Sequence, residues 1–380
     1  MEDLEDQFKA LSVARRLQPS EPTYLLGMAV QRCGSGDGLV AVCCSNRSVH
    51  LHSSHTLRLQ GEYKGHPGAV FGVRFAHTSS DLLYSGSADG TLRAWDVRCP
   101  GSQPLQVFQS SPSYPLCSFD ISCNDLVLCA GTEQVEEDSL LMFWDVRMAK
   151  ERGRVLGVYS ESHSDDITQV CFHPRDPDRL ASGSTDGLVN VFDLSHGSEE
   201  DALQATCNSC SSVSTVCWAG QEYGRLLCLS HDEGLHLWDL GHVDTEEPLT
   251  VLSVPDARCS ATLPGDAALD YFVGGAWVED TKRLLVLGGT SRGELHVFDC
   301  RDQGLELLKS LEGGHSATVR CFQWDPAGGA LITGGEDAQL LQWKPGAEEQ
   351  ASGKRCSLKS ASALQLKVRA RGKHKSKTEK

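Results

Sequence analysis

Serine, histidine and aspartate, the side chains of a nucleophilic relay, recur together along this chain. They stand at His66, Ser85 and Asp89, and again at His163, Ser182 and Asp186. With threonine in place of serine they return at His315, Thr333 and Asp337. One such set in one cleft would suit acyl transfer, with Asp orienting His and His activating Ser. A set that returns at near-constant spacing is what a repeated structural unit produces, so catalysis is not expected. Cys207-Asn208-Ser209-Cys210 is a lone CxxC with neither a second pair nor a flanking redox helix, so no zinc or redox site is expected there. The Gly-Gly pairs at 274–275, 288–289 and 334–335 fall at strand and turn positions, not in a phosphate-binding loop. The residues therefore call for no cofactor, no metal and no small-molecule substrate.

Two arginines, Arg98 and Arg147, close identical Trp-Asp-Val-Arg segments. Carboxylates gather at Glu133, Glu136, Glu137 and Asp138, and again at Glu161, Asp165 and Asp166. The net charge of -16 hides a division: residues 351–380 carry ten Lys/Arg against one acid, or +9. The remainder then has 25 bases against 50 acids, or -25. An acidic body repels phosphate backbones and attracts basic partners. The tail does the reverse, but Val368–Lys380 has no aromatic residue for base stacking, so nucleic-acid contact beyond weak tail contacts is not expected. A Lys/Arg-rich segment of this kind also suits nuclear import.

What positions these residues is a repeat. SGSADGTLRAWD (85–96), SGSTDGLVNVFD (182–193), CLSHDEGLHLWD (228–239), GGTSRGELHVFD (288–299) and TGGEDAQLLQWK (333–344) share one plan. Each is a short apolar strand, a tight Gly/Asp turn and a second strand ending in Trp-Asp or a relative. The aromatic anchors Trp95, Trp144, Phe192, Trp238, Phe298 and Trp343 are 49, 48, 46, 60 and 45 residues apart. Upstream, VCCSNRSVHLHS puts His52 at the anchor position, 43 residues before Trp95. Seven such units predict an all-β, seven-bladed β-propeller. In blade 2, strands are expected over Ala69–Ala76, Leu82–Ser87, Thr91–Val97 and Pro104–Gln109. The expected organisation is a segment 1–20 whose LSVARRL (Leu11–Leu17) closes blade 7, a propeller over 21–346, and a flexible basic tail over 347–380. The acidic start, MEDLEDQFKA, has no apolar core, and no apolar run approaches the ~20 residues of a membrane helix. A soluble, intracellular protein of nucleus or cytoplasm is expected, with its sixteen cysteines reduced.

These blocks resemble the WD-repeat family. The resemblance implies a buried tetrad in each regular blade: His before strand a, Ser/Thr in strand b, Asp in the b–c turn, Trp in strand c. Blade 2 matches with His66, Ser85, Asp89 and Trp95, and blade 7 with His315, Thr333, Asp337 and Trp343. Blade 4 has His163, Ser182 and Asp186 but Phe192; blades 1, 3 and 6 lack the set. The resemblance further implies a non-enzymatic protein-interaction scaffold. Family geometry would bring the seven carboxylates of blades 3 and 4 together on one face as a docking patch for a basic peptide, although solvated loops would look the same. It would also place Phe71, Asp166 and Arg320 at strand starts where a partner touches. The Trp-Asp-x-Arg ending is similar to the motif by which WD-repeat receptors dock on the adaptor of cullin-RING ubiquitin ligases, through Arg98 and Arg147. An ordinary solvated strand end would read identically.

Overall fold

The computed structural model describes residues 8–18, 23–31, 38–101, 103–110, 112–148, 155–241, 248–264 and 268–351. Alternating short strands and turns give seven antiparallel sheets, each pairing its strands a, b, c and d in order. Blades 1 to 6 span residues 25–63, 70–109, 116–159, 169–208, 213–254 and 271–311. Blade 7 takes strands a to c from residues 319–345. Inner strands touch in succession around the ring, and the last, Val319–Asp325, packs on the first, Leu25–Val30. The molecule is a seven-bladed β-propeller.

The blade 2 strands b and c begin as the pattern requires, at Leu82 and Thr91. Strand a is shorter at both ends, Val70–Phe75; strand c ends at Asp96, and strand d runs only over Gln106–Gln109. The b–c turn is tight because Gly90 adopts φ +80° and its N–H bonds Ser87 O at 3.1 Å. A Cβ there would lie 2.3 Å from Ser113 Oγ, so the turn suits glycine alone.

The outer strand of blade 7 is Leu11–Leu17, antiparallel to Leu340–Pro345. This removes the open edge a linear array would leave. Arg16 fastens it: Nη1 donates to Gly314 O at 2.6 Å and Nη2 to Gly313 O at 2.7 Å. Residues 347–351 still contact the N-terminal strand. Ser12 Oγ donates to Ala347 O at 2.7 Å, Arg16 Nε meets Glu349 at 3.0 Å, and Gln350–Ala351 pair parallel with Arg15 and Arg16. Backbone pairing with the N-terminal strand reaches Ala351; the rest of the expected basic tail lies outside the described residues.

The core lies between blades. Trp95, 1% exposed, packs with Leu51 and Tyr63 of blade 1, and Trp343 packs with Leu295 and Val297 of blade 6. Such apolar burial between sheets is the main driving force for closing the ring. The fourteen described cysteines are free thiols; Cys207 is buried and Cys210 exposed. No helix among the described residues is long and apolar enough to cross a membrane, and no metal-holding group of three His, Cys, Asp or Glu occurs among them.

Candidate functional site: two faces of a propeller

In blade 2 the four tetrad residues form one hydrogen-bonded chain. His66 Nδ1 is 2.8 Å from Asp89 Oδ2, and His66 Nε2 is 2.8 Å from Ser85 Oγ. The Trp95 indole N–H donates to Ser85 Oγ at 2.8 Å. Burial drives His66 toward its neutral form, so Nδ1–H donates to Asp89 and Ser85 O–H donates to Nε2. Burial alone would push the Asp89 carboxyl up. The hydrogen bonds from His66 and from Thr91 outweigh it and hold the group at about 2. Blade 7 repeats the arrangement: His315 Nδ1 lies 3.0 Å from Asp337, its Nε2 2.8 Å from Thr333 Oγ1, and Trp343 donates to Thr333 at 2.9 Å. Blade 4 keeps His163–Asp186 at 3.0 Å and His163–Ser182 at 2.7 Å. Phe192 has no N–H, so that chain of bonds ends at Ser182. These sets are separate and bonded internally, and Ser85, Ser182 and Thr333 are fully buried.

The irregular blades fill the anchor site otherwise. His52 is 4% exposed with Nδ1 on Leu57 O at 3.0 Å, and burial lowers it to about 4. Trp144 is equally buried, yet its Nε1 has no partner among the described residues. Trp238 stacks on His236 at 5.4 Å.

Three stretches match the family model described as WD domain, G-beta repeat: residues 57–96, 153–193 and 305–344. They end in blades 2, 4 and 7, the three that hold the His–Asp–Ser/Thr relay. The chain is also 31% identical over 324 residues to WD repeat-containing protein GTS1 of Arabidopsis thaliana, covering 80% of this chain and 78% of that protein. The chain belongs to the WD-repeat family. It is 26% identical over 324 residues to the WD repeat-containing protein 89 homolog of Dictyostelium discoideum, with 84% and 82% coverage. An uncharacterized WD repeat-containing protein of Schizosaccharomyces pombe is 26% identical over 302 residues, with 72% and 86% coverage.

In this WD-repeat propeller the b–c turns and d–a loops form the upper face. Blade 3 lacks the relay, and its b–c hairpin runs on through a turn bridged between Val135 and Asp138, with Glu136 at φ +62°. Glu133, Glu136, Glu137 and Asp138 are all exposed. The neighbouring loop of blade 4 is joined to it: Gln134 N–H donates to Asp166 Oδ1 at 2.7 Å, and Gln134 Nε2 donates to Ser164 O at 2.7 Å. Asp165 Oδ1 in turn accepts from Asp166 N–H at 2.8 Å. Glu161 lies earlier in the same loop and is exposed. Its N–H goes to Glu199 Oε1 at 2.9 Å, in the short c–d helix of blade 4. The seven acids thus lie on two joined loops, with the backbone of Glu161 tied to a helix that local spacing did not reveal.

Phe71 and Arg320 occupy β-bulges just inside the start of strand a. Phe71 is half-buried against Phe119, 6.1 Å away and edge-on. Arg320 is exposed and paired with Glu336 through two hydrogen bonds of 2.7 and 2.5 Å. The same bulge sets out Leu26, Cys117, Ser214 and Val273 in blades 1, 3, 5 and 6. Bulges re-aim side chains, so these residues belong to the same upper rim. Their common place after the first apolar residue of strand a was a readable signal.

On the lower face Arg98 and Arg147 do not project alone. Each folds back on the Asp two residues earlier, with Nε at 2.9 Å and Nη2 at 2.7 Å. The Arg98 hydrogen bonds hold Asp96 at about 2. Arg98 also reaches Asp81 at 2.9 Å. The Arg98 and Arg147 side chains remain 65% and 68% exposed. A third copy went unread in the sequence because Phe replaces Trp: Phe298-Asp299-Cys300-Arg301, where Arg301 Nε meets Asp299 at 2.9 Å.

Proposed function

We propose that this propeller is a non-enzymatic protein-interaction platform whose upper face takes a basic peptide segment. The observation that carries this is the blade 3 hairpin, where four exposed carboxylates stand on an extended turn linked through Gln134 to Asp166. Concentrated like charge on joined loops raises the local potential and speeds encounter with cations. The relay blades support the non-enzymatic reading, because their Ser, His and Asp are consumed by internal hydrogen bonds. The test is binding of a Lys/Arg-rich peptide by Glu136→Lys/Glu137→Lys/Asp138→Lys. Loss of binding, and steep weakening with salt in the wild type, are expected. Equal binding by the variant would retire the reading.

A second reading is that of a cullin-RING substrate receptor. It is favoured by the two neighbouring arginines, which are exposed and share one pre-set geometry. Co-precipitation of the ligase adaptor, lost in Arg98→Ala/Arg147→Ala, is the expected result; no co-precipitation rejects it. Nuclear entry through the basic tail is checked by deleting residues 366–380 and observing the distribution in cells.

A further inference from the structure

At Ala351 the chain is directed toward the same face that carries the acidic loops. Leu17, the last residue of the closing strand, pairs with Leu340, which follows the b–c turn of blade 7. That strand therefore runs from the lower face to the upper one. Gln350 and Ala351 pair parallel to it, opposite Arg15 and Arg16, and so climb in the same direction. Arg16 marks the height they reach. It donates to Gly313 O and Gly314 O of the d–a loop and to Gln339 of the b–c turn. Ala351 thus stands at the upper rim of blade 7.

The sequence that follows carries the opposite charge to the acidic loops. Lys367, Arg369, Arg371, Lys373, Lys375 and Lys377 fall on every second residue. An extended chain turns alternate side chains to one side, so this spacing gives a single row of six cations. A helix would spread them around its circumference. On the propeller, residues 131–139 of blade 3 and 160–168 of blade 4 hold seven acids and no Lys or Arg. None of those seven is ion-paired with a Lys or Arg among the described residues. Other acids of the upper face are matched, Asp256 by Arg258 at 2.9 Å and Glu336 by Arg320 at 2.5 Å.

The distance is within reach. Lys367 lies sixteen residues past Ala351, which extends to about 53 Å. Four strands per blade at about 4.8 Å put the acidic hairpin on the order of 40 Å away across the ring.

We propose that residues 367–377 fold back onto the acidic loops of blades 3 and 4 and occupy them in cis. This rests on the reading of the upper face as a site for a basic peptide, and it names the resident occupant. Attachment to the same chain holds the segment at an effective concentration of about a millimolar, so a partner's basic peptide must displace it. Docking of a partner then frees the row of cations.

The test uses a fluorescein-labelled synthetic peptide of residues 366–380, added to the full chain. It should bind about tenfold or more tightly when the built-in row is removed by Lys367→Ala/Arg369→Ala/Arg371→Ala/Lys373→Ala/Lys375→Ala/Lys377→Ala. Those positions lie outside the described propeller residues, so the fold is left as it is. Adding Glu136→Lys/Glu137→Lys/Asp138→Lys to that variant should abolish the gain; a gain that persists overturns the placement on these loops. Equal binding to the wild type and the alanine variant overturns self-occupancy but leaves the basic-peptide reading standing. Binding to neither overturns both. Carbodiimide coupling, which joins a lysine amine directly to a carboxylate, gives a second readout. Lys373, Lys375 or Lys377 should become joined to Glu133, Glu136, Glu137 or Asp138 of the same chain. In a mixture of isotope-labelled and unlabelled chains, products found only between chains would assign the contact to a second copy and overturn the proposal.

Discussion

Blades 2 and 3 stand side by side and end strand c in the same Trp-Asp-Val-Arg, yet they hold their tryptophans differently. Trp95 donates to Ser85 within a chain that ends on Asp89 in the b–c turn. Trp144 is as deeply buried, but its N–H finds no partner among the described residues. The relay ties the blade 2 turn to the strands beneath it. Blade 3 has no aspartate pinned there, and its turn has grown into a hairpin of exposed acids.

The largest break in this contrast should come from the two aspartates. Asp89→Ala leaves the buried N–H of neutral His66 without an acceptor, and an unsatisfied buried donor costs about 1–3 kcal/mol. Asp138→Ala removes an exposed acid and should stay within about 0.5 kcal/mol. Denaturant unfolding of the two variants measures the gap; equal stabilities would remove the relay from the account.

A smaller difference is expected from the tryptophans. Trp95→Phe and Trp144→Phe lose similar volume, but only the first loses a hydrogen bond. The first should therefore cost about 1 kcal/mol more, the net worth of such a bond. If Trp144→Phe proves the costlier, the unpaired indole has been misjudged.

Acid should act next, and on both kinds of blade. Burial lowers His52 from 6.5 to about 4 and also lowers His66, His236 and His296. The unfolded chain then takes up protons first as pH falls below 6.5. Stability should decline steadily from there toward pH 4. Asp89, lowered from 3.8 to about 2, adds its loss only below pH 3.8. Melting temperature against pH reads the slope, and His52→Phe should flatten it between pH 6.5 and 4. A flat wild-type profile across that window contradicts the neutral, buried state of these rings.

The smallest effect is expected in blade 5. Asp232 occupies the relay position and accepts from the half-buried Ser211 hydroxyl at 2.7 Å, with Cys228 where the serine would be. Asp232→Asn should change stability by less than about 0.5 kcal/mol. A cost approaching that of Asp89→Ala would mean that an aspartate in this turn matters without its histidine.

Much of the frame was legible because its rules are local. Ser85, Asp89 and Trp95 lie within eleven residues, and the alternation of strand residues and the glycine turn act over the same range. Strand ends were less legible: strand d of blade 2 begins at Gln106, where ladder pairing to Ala94 starts, and not at Pro104. The acidic loops were legible, but the helix beside them was not. The Glu161 N–H bonds Glu199, whose four-residue helix gave no periodic signal.

By itself, then, the sequence determined the number of blades, the strands within them and the identity of the relay residues, since each depends on neighbours a few positions away. Only the tertiary structure decided what meets across the ring. Arg16 clasps a loop 298 residues distant, Arg225 bridges to Asp302 over 77 residues, and Arg175 reaches Glu279 over 104. Such pairs follow from how far successive sheets turn about the axis and where their loops come to rest. That rotation is set by side-chain packing between blades, and no short window of residues contains it.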